Sequence, residues 1–260
     1  MNMLFTLCGR AGSKGLRSKN ILPFCNIPLP YYSLAEIHQF QKRHAHNHAR
    51  MDVVLSTDSA ELKQLIQTVD EKVFLIDREA ALAGDAIRKI DVIRDAARRS
   101  SKHFGMEYDM VIDLDLTSPL RTLQDLEHVV EKRNSVDADV VYTVTPARRN
   151  PYFNQVMRQE NGYFSTVCEG DFATRQQAPD IYDMNASIYA YTPSFIAGTE
   201  LRFHKADIVV MKDTGILDID GPEDYELMQV IAAWLFEHDP AYKTVYQEAK
   251  SMYKGQKNVL

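Results

Sequence analysis

The first residues that could do chemistry lie in a loop that follows the apolar run Phe5 to Cys8. The loop alternates glycines with cationic side chains, and these residues are Gly9, Arg10, Gly12, Lys14, Gly15, Arg17 and Lys19. Glycine adopts backbone angles closed to other residues, so main-chain N–H groups can converge on an anion while the cations supply positive charge. The pattern therefore predicts a polyphosphate site. An ordinary basic surface loop is the alternative that these residues leave open.

Two well-known phosphate-binding motifs do not fit this loop. A Walker loop ends in Gly-Lys-Ser/Thr, whereas the order here is Ser13-Lys14-Gly15, and the dinucleotide fingerprint G-x-G-x-x-G is absent. Prolines follow at Pro23, Pro28 and Pro30, so no long helix can begin directly after the loop and direct its N-terminus at a phosphate. Lysine and arginine side chains must therefore neutralise more of the ligand's charge.

Two aspartates late in the chain, Asp218 and Asp220, could hold the divalent cation that accompanies a nucleotide polyphosphate. Mg²⁺ prefers one or two carboxylates together with phosphate oxygens and water. At the end of a predicted strand, Ile216 to Ile219, residues two apart lie on the same side while Ile219 points into the core. A proline follows at the first turn of a predicted helix, so Asp220 could instead cap that helix.

Asp113 and Asp115 have the same spacing in another predicted strand and form a rival metal site. A carboxylate buried in a central strand is costly unless it is paired, so at least one of the two should face the ligand cleft. The sequence leaves open whether that side chain binds a metal or accepts a hydrogen bond from a sugar hydroxyl.

Buried strands and amphipathic helices alternate along the first half of the chain. The predicted strands are Met3–Cys8, Asp52–Leu55, Val73–Ile76, Asp109–Leu116 and Ala138–Val144. The predicted helices are Tyr31–Gln41, Leu62–Val69, Ile87–Phe104 and Thr122 to about Lys132. This order predicts an α/β fold with a doubly wound, mostly parallel sheet, whose ligand site lies at the carboxyl ends of the strands.

Between residues 146 and 185 the pattern changes to short alternating runs rich in Pro, Tyr, Asn, Gln and Gly, which predicts a small β-rich insertion. The elements predicted after it are strands at Ala186–Tyr191 and Ile208–Met211 and a helix from Pro222 to about Phe236. Residues beyond Pro240 are expected to form a polar extension. We expect a single domain over residues 1–260, with the insertion inside it.

The composition disfavours several classes of protein. The chain has 260 residues and a formal net charge of -6, which disfavours a general nucleic-acid binder because phosphate backbones attract basic surfaces. Its three cysteines lack metal-ligand spacing, which is typical of reduced thiols in the cytoplasm. No apolar run approaches the length of a membrane span. We therefore expect a soluble, cytoplasmic protein that binds neither nucleic acid nor membrane.

Several of these motifs, in this order, resemble those of the acylneuraminate cytidylyltransferases, also called CMP-sialic acid synthetases. The matching segments are Arg10–Gly15 with Lys19-Asn20, Leu55–Asp58, Thr117–Arg121, Asn185 with Ile188-Tyr189, and Asp218–Asp220. They extend over about residues 3 to 235, which makes the match more specific than any single motif. Arg149–Asn154 and Arg175–Ser187 look more like the bacterial legionaminate branch of that family.

The resemblance implies a Rossmann-like nucleotidyltransferase, in which a nine-carbon 2-keto sugar acid attacks the α-phosphate of CTP and pyrophosphate leaves. Such a reaction needs alignment of the reactants and neutralisation of charge. The residues implied to bind CTP are Arg10, Gly12, Ser13, Lys14, Gly15, Lys19, Asn20 and Arg78. The residues implied to bind the sugar are Asp115, Thr117, Ser118, Arg175, Gln176, Asp183 and Asn185. The residues implied to be catalytic are Arg10, Lys14, Lys19, Asp218 and Asp220.

The resemblance also implies a cofactor and a partner. Asp218 and Asp220 match aspartates that bind Mg²⁺, for which Mn²⁺ could substitute. Family members are usually homodimers whose insertion reaches the active site of the partner subunit. We therefore expect the chain to be a homodimer, with Arg175 or Gln176 near the sugar pocket of the neighbouring subunit.

Two positions depart from the sialic-acid enzymes. Asp115 stands where those enzymes have glutamine, and Asp183 stands where they have arginine. A carboxylate in place of an amide or a cation changes which sugar substituents can be bound, which favours a legionaminate-like acid over N-acetylneuraminate. The alternatives are a CMP-N-acetylneuraminate synthetase proper, a CMP-Kdo synthetase acting on an eight-carbon acid, and a catalytically silent nucleotide-binding protein.

Overall fold

The computed structural model describes residues 1–12, 15–47, 50–84 and 86–257, without the side chains of Asn47, Arg175 and residues 255–257. Two of the predicted site residues, Ser13 and Lys14, therefore lie outside the described residues.

A mixed sheet of seven strands forms the centre of the molecule, in the order β11-β7-β10-β6-β1-β4-β5. Its strands are β1 (Met3–Cys8), β4 (Met51–Thr57), β5 (Phe74–Asp77), β6 (Met110–Leu114), β7 (Val140–Pro146), β10 (Tyr182–Tyr191) and β11 (Ala206–Val210). Strand β1 pairs in parallel with β4 and β6, β4 with β5, and β7 with β11, whereas β10 runs antiparallel to both of its neighbours. The prediction of a mostly parallel sheet is confirmed.

Two short hairpins lie outside this sheet. They are formed by β2 (Pro23–Phe24) with β3 (Ile27–Pro28), and by β8 (Val156–Arg158) with β9 (Phe164–Thr166). The first hairpin and a 3-10 turn at Lys19–Ile21 separate the glycine-rich loop from the first α-helix. As the prolines predict, no long helix follows the loop directly.

Helices cover both faces of the sheet. They are α1 (Pro30–Arg43), α2 (Ala60–Val69), α3 (Lys89–Phe104), α4 (Leu123–Ser135), α5 (Pro193–Ala197), α6 (Pro222–His238) and α7 (Pro240–Lys257). Successive residues of β1 point to opposite faces. Phe5 packs in the cluster that contains residues of α1, α2 and α4, and Leu4 packs in the cluster that contains residues of α3 and α5. The sheet is thus doubly wound, as predicted.

Helix α4 starts next to Thr122, where the sequence predicts it, and a capping box fixes this start. Thr122 Oγ1 accepts the backbone N–H of Asp125 at 3.3 Å, and Asp125 Oδ2 accepts the backbone N–H of Thr122 at 2.8 Å. This reciprocal box satisfies N–H groups that have no partner inside the helix. It also fixes the direction in which the chain leaves the Thr-Ser-Pro turn that ends at α4.

The prediction of a polar extension beyond Pro240 is wrong. These residues form α7, and Tyr242, Val245 and Ala249 are buried in a second core cluster together with residues of α1 and α6. The apolar positions recur every three or four residues among many polar ones, so one face of the helix is apolar although its average composition is polar.

The predicted strand at Ile216–Ile219 does not form, and this segment is irregular. It is tied instead to the Thr-Ser-Pro turn: the N–H of Ile219 donates to the carbonyl of Thr117 at 2.9 Å, and Ser118 Oγ donates to the carbonyl of Leu217 at 2.8 Å. Ile219 is nevertheless fully buried, as its pattern predicts.

The insertion consists of turns and the β8–β9 hairpin. Its entry is built by Asn150, whose N–H donates to Asn154 Oδ1 at 2.7 Å and whose own Oδ1 accepts the N–H of Tyr152 at 2.9 Å. The hairpin exposes large apolar side chains, and these are Val156, Met157, Tyr163, Phe164 and Val167. Within the described residues, no helix is long and apolar enough to cross a membrane.

Candidate active site

A pocket of about 250 Å³ opens at the carboxyl ends of β1, β5 and β6. Predicted nucleotide residues and predicted sugar residues meet in it: its lining includes Arg10, Lys19, Asn20 and Arg78 together with Asp115 and Thr117. Leu82, Ile87 and Lys89 form part of its remaining wall. The structure thus gathers residues that are far apart in the sequence at the sheet edge where ligands of such folds bind.

The described part of the glycine-rich loop is held in place by hydrogen bonds from its backbone to two side chains and by a close backbone approach. Asn20 Nδ2 donates to the carbonyl of Arg10 at 3.0 Å, and the N–H of Ala11 donates to Asp58 Oδ1 at 2.8 Å. Gly15 lies against the Asp218–Asp220 segment, because a Cβ at this position would come within 2.1 Å of the carbonyl oxygen of Asp220. The loop and the acidic segment therefore touch through their backbones.

Arg78 follows β5 and turns back toward the end of β4. The guanidinium of Arg78 donates to the carbonyl of Ser56 at 2.6 Å, and the backbone N–H of Arg78 donates to the carbonyl of Thr57 at 3.1 Å. These bonds fix the guanidinium at the wall of the pocket, where it adds positive charge.

Asp218 and Asp220 lie on the irregular segment that crosses beside this pocket. Lys19 Nζ lies 3.0 Å from Asp220 Oδ1, and the side chain of Asp220 is 79% exposed. The alternative in which Asp220 caps the following helix is wrong. Helix α6 is capped from within, since Asp224 Oδ2 accepts the N–H groups of Asp220 at 3.1 Å and of Gly221 at 2.9 Å. The carboxylate of Asp220 is therefore available to a ligand.

The electrostatics of the two aspartates differ. Burial raises the pKa of Asp218, and the negative charges of Asp220 and Asp115 raise it further, to about 6, although Lys19 opposes this change. A half-buried carboxyl with like charges around it gains from a nearby cation. Among the described residues, no group of three or more His, Cys, Asp or Glu side chains is arranged to hold a metal ion. Two carboxylates that leave positions for phosphate oxygens and water suit Mg²⁺.

The rival pair, Asp113 and Asp115, already has a cation from the chain itself. Lys89, the first residue of α3, places its Nζ 2.7 Å from Asp113 Oδ2 and 2.6 Å from Asp115 Oδ2. Asp113 is fully buried, and its Oδ1 accepts a hydrogen bond from Thr6 Oγ1 at 2.8 Å. The lysine thus occupies the position between the two carboxylates that a metal would take.

Hydrogen bonds and charge keep Asp115 ionised. Its Oδ1 accepts the N–H of Thr117 at 2.9 Å and Thr117 Oγ1 at 2.8 Å, and its Oδ2 accepts Lys89. Burial raises the pKa of Asp115, but the charge of Lys89 and these hydrogen bonds outweigh burial and lower it to about 2. Sequence reasoning missed Lys89. The one available signal was that two acids in a buried strand require a cation from elsewhere.

Arg121 is a second basic residue that the sequence did not place in the site, and it supports the pocket from below. Arg121 is buried and pairs with buried Glu36, and its Nη1 donates to the carbonyl oxygens of Asp115 at 2.9 Å and Ser187 at 3.2 Å. This guanidinium therefore joins the end of β6, helix α1 and β10 beneath the pocket.

Four of the other predicted sugar residues lie outside the lining of this pocket, and these are Ser118, Gln176, Asp183 and Asn185. Asn185 is buried and accepts a hydrogen bond from Thr143 Oγ1 at 2.6 Å, and Asp183 is exposed on β10. Gln176 lines a different pocket of about 300 Å³, beside Asn150 and Pro179, and the backbone of Arg175 lies in the same 3-10 turn. Among the described side chains, no residue of the insertion lines the Asp115 pocket, and a sugar role for Arg175, Gln176, Asp183 and Asn185 stays a prediction.

Comparison with known proteins covers nearly the whole chain. The cytidylyltransferase family profile matches residues 7–258. The chain is 38% identical to CMP-N,N'-diacetyllegionaminic acid synthase of Campylobacter jejuni, over 88% of this chain and 94% of the relative. It is 35% identical, with the same coverage, to the post-translational flagellin modification protein B of Campylobacter coli. An N-acylneuraminate cytidylyltransferase of Streptococcus agalactiae is 22% identical over 96% of this chain and 58% of the relative.

Solved structures share the fold. A CMP:2-keto-3-deoxy-manno-octonic acid synthetase complexed with CTP superposes with a TM-score of 0.64 at 15% identity, covering 90% of this chain and 99% of the other. The 4-diphosphocytidyl-2C-methyl-D-erythritol synthase of Anaerococcus prevotii gives a TM-score of 0.57 at 12% identity, covering 88% and 96%.

Proposed function

The chain belongs to the cytidylyltransferase family, and from this premise we propose that it joins CTP to a legionaminate-type nonulosonic acid, giving the CMP-sugar and pyrophosphate. The observation that carries the choice of sugar is the 38% identity, over 88% of this chain, to a CMP-N,N'-diacetyllegionaminic acid synthase. The lower identity of 22% to an N-acylneuraminate cytidylyltransferase agrees with this choice.

The proposed chemistry is a displacement at phosphorus. The anomeric hydroxyl of the sugar acid forms a bond to the α-phosphorus of CTP, the bond from that phosphorus to the β-phosphate oxygen breaks, and pyrophosphate leaves with the bonding electrons. The hydroxyl proton passes to the medium. Both reactants are anions, so their approach requires cationic groups placed in advance around the phosphates.

We assign these cationic groups to the wall formed by the opening loop. Arg10 and Lys19 line the pocket, and Lys14, outside the described residues, belongs to the same loop. Arg78 and Asn20 complete the CTP side. Asp218 and Asp220 would hold Mg²⁺ or Mn²⁺, which supplies further neutralisation of phosphate charge when bound.

A panel of sugar acids tests the proposal. The purified protein is mixed with CTP, Mg²⁺ and, separately, N,N'-diacetyllegionaminate, N-acetylneuraminate, pseudaminate or Kdo, and pyrophosphate release is followed. We expect kcat/KM for the legionaminate to exceed the others by at least about 10-fold, because one mismatched polar substituent in a hydrogen-bonding site costs this much or more. Equal or faster turnover of N-acetylneuraminate would contradict the proposed sugar, and no turnover with any acid would contradict the reaction.

We also propose that the chain acts as a homodimer through its insertion. Val156 and Phe164 are 61% and 67% exposed on the β8–β9 hairpin, and Met184 on β10 is 52% exposed. Large apolar side chains exposed on one short hairpin are typical of protein interaction sites. Gln176 lines a pocket other than the Asp115 pocket, which fits a role for it in the pocket of the partner subunit.

Light scattering combined with substitution tests the dimer. We expect the wild type to have twice the mass of one chain, and Phe164→Asp to shift it toward the monomer with loss of activity. Leu201→Asp, at a 49% exposed leucine outside the insertion, is the matched control and should leave the mass unchanged. A monomeric wild type with full activity would contradict this proposal.

A further inference from the structure

The group that Asp115 presents to the pocket is not a bare carboxylate. Its Oδ1 is bound to the N–H and the hydroxyl of Thr117, and its Oδ2 is bound to Lys89. Its neighbour Asp113 accepts a hydrogen bond from Thr6 and forms an ion pair with the same lysine. Asp115 thus acts in the site as one part of a three-residue unit, and we call Lys89, Asp113 and Asp115 the floor triad.

The geometry of Lys89 leaves it able to contact a ligand. An ammonium group has three N–H donors. Among the described residues its polar partners are the two carboxylates of the triad, while its side chain is 36% exposed and lines the pocket. One N–H therefore remains for a group that enters from the cavity.

The charge of the triad limits what that group can be. One ammonium and two carboxylates sum to a single negative charge, held where burial weakens screening by solvent. An anionic group of the substrate, such as its carboxylate or a phosphate, is repelled from this floor and is attracted to the wall that carries Arg10 and Lys19. An uncharged oxygen can still accept a hydrogen bond from Lys89.

We propose that Lys89 is a positioning and specificity residue: it holds Asp115 in its sugar-facing conformation and donates its free N–H to an uncharged hydroxyl or amide oxygen of the sugar acid. This inference rests on the proposed function, in which Asp115 contacts the sugar. It extends that function in one respect. At the position where the sialic-acid enzymes have a glutamine, Asp115 acts together with Lys89, and the lysine helps to decide which sugar acid binds.

Steady-state kinetics of Lys89→Gln, Lys89→Arg, Asp115→Asn and the double variant K89Q/D115N test the proposal. The sugar acid used is whichever one the wild type turns over best. Pyrophosphate release is measured against sugar acid at saturating CTP and against CTP at saturating sugar acid. CTP binding without sugar is measured by calorimetry. Lys63→Gln removes a lysine–aspartate pair with Asp77 outside the pocket and is the matched control.

We expect K89Q to raise KM for the sugar acid at least about 10-fold and to change the Kd of CTP less than about 3-fold, since a lost hydrogen bond to a buried group penalises only its own ligand. K89R should lie between K89Q and the wild type. The double variant should lose less than the product of the single losses, because the lysine acts partly through Asp115. K63Q should match the wild type.

Two outcomes would overturn the proposal. One is an equal weakening of CTP binding and of the sugar KM in K89Q; the other is a double variant whose loss equals the product of the two single losses. If K89Q does not fold, as judged by circular dichroism, the K89R and D115N kinetics decide: both must change the sugar KM selectively. A wild type that prefers another sugar acid refutes the proposed legionaminate substrate but leaves this test intact on the preferred acid.

Discussion

Two pairs of aspartates with the same spacing, Asp113 with Asp115 and Asp218 with Asp220, lie in opposite environments. The first pair is at the end of a central strand and is neutralised in part by Lys89 from α3. The second pair is on an irregular segment, where Asp220 is 79% exposed and Lys19 is its one ion-pair partner within the described part of the chain. The pKa of Asp115 is lowered to about 2, whereas that of Asp218 is raised to about 6. The spacing of two acids therefore does not decide their role; the cation that the fold supplies decides it.

This difference separates a pair that the fold has already neutralised in part from the pair that we propose binds the metal. Acids that the fold has already paired contribute to stability and hold a geometry. Acids that repel each other and lack sufficient counter-charge are available to bind a cation that arrives with the substrate. Each prediction below changes an aspartate of these pairs or the lysine paired with one of them.

The largest expected effect is on catalysis, at the second pair. Asp218→Asn or Asp220→Asn should lower kcat/KM at least about 100-fold, because removing a preorganised electrostatic contact to a transferring phosphoryl group has effects of this size. The thermal unfolding midpoint should fall little, since Asp220 does not cap α6. Asp137→Asn, at an exposed aspartate paired with Lys205, is the control. Activity within about 3-fold of the wild type would show that these two residues do not bind the catalytic metal.

The next effect is on stability, at the first pair. Asp113→Ala should lower the free energy of unfolding by about 3 kcal/mol, because it breaks a buried ion pair and leaves Thr6 Oγ1 without its acceptor. Urea unfolding followed by circular dichroism measures the change, with Asp137→Ala as the surface control. A loss below about 1 kcal/mol would mean that Lys89 and Asp115 hold the strand end without Asp113.

Asp218 and Asp115 should make contributions of opposite sign to the pH dependence of the free energy of unfolding. The pKa of Asp218 is raised in the folded protein, so the folded state binds more protons between about pH 4 and pH 6, and the free energy of unfolding falls as pH rises through this range. The pKa of Asp115 is lowered, so its contribution is present above about pH 4 and is lost as pH falls toward 2.

Difference curves against Asp218→Asn and Asp115→Asn, measured in metal-free buffer over pH 2 to 7, separate these two contributions. If both curves have the same sign, the proposed contrast between the pairs is incorrect.

The smallest expected effect concerns the lysine of the exposed pair. Lys19→Met should change the free energy of unfolding by at most about 0.5 kcal/mol, because an ion pair with an exposed carboxylate contributes little. It should nevertheless weaken CTP binding measured by calorimetry, since Lys19 lines the pocket. A stability loss as large as that of Asp113→Ala would make Lys19 a structural counterpart of Lys89.

Much of the fold could be predicted from local pattern. Buried strands such as β1 and β4 show as continuous apolar runs, and the start of α4 shows as a capping box, because these signals depend on neighbours within a few residues. The last helix was missed because its apolar positions stand among many polar residues in the sequence, and the helix is stabilised by packing on distant elements, chiefly α1 and α6. The segment 216–219 has a strand-like composition, but its backbone bonds go to the Thr-Ser-Pro turn.

The site residues that belong to short sequence motifs could be predicted. Those that come together only because the chain folds could not. Arg10, Lys19, Asn20, Arg78 and Asp115 do line one pocket. Lys89 lies on another element than the aspartates it pairs with, and no local spacing relates them. The buried acids indicate that a counter-charge must be present. The chain has 30 lysines and arginines, so the sequence does not indicate which of them supplies it.

The contact of Gly15 with the carbonyl oxygen of Asp220 has a consequence for the redesign of this enzyme. Because a single methyl group at position 15 would push directly on that backbone, the glycine-rich loop and the acidic segment cannot be varied as independent modules. A library that randomises this loop should leave residue 15 as glycine and place its diversity at Gly12, where an added Cβ meets no described residue within 4 Å.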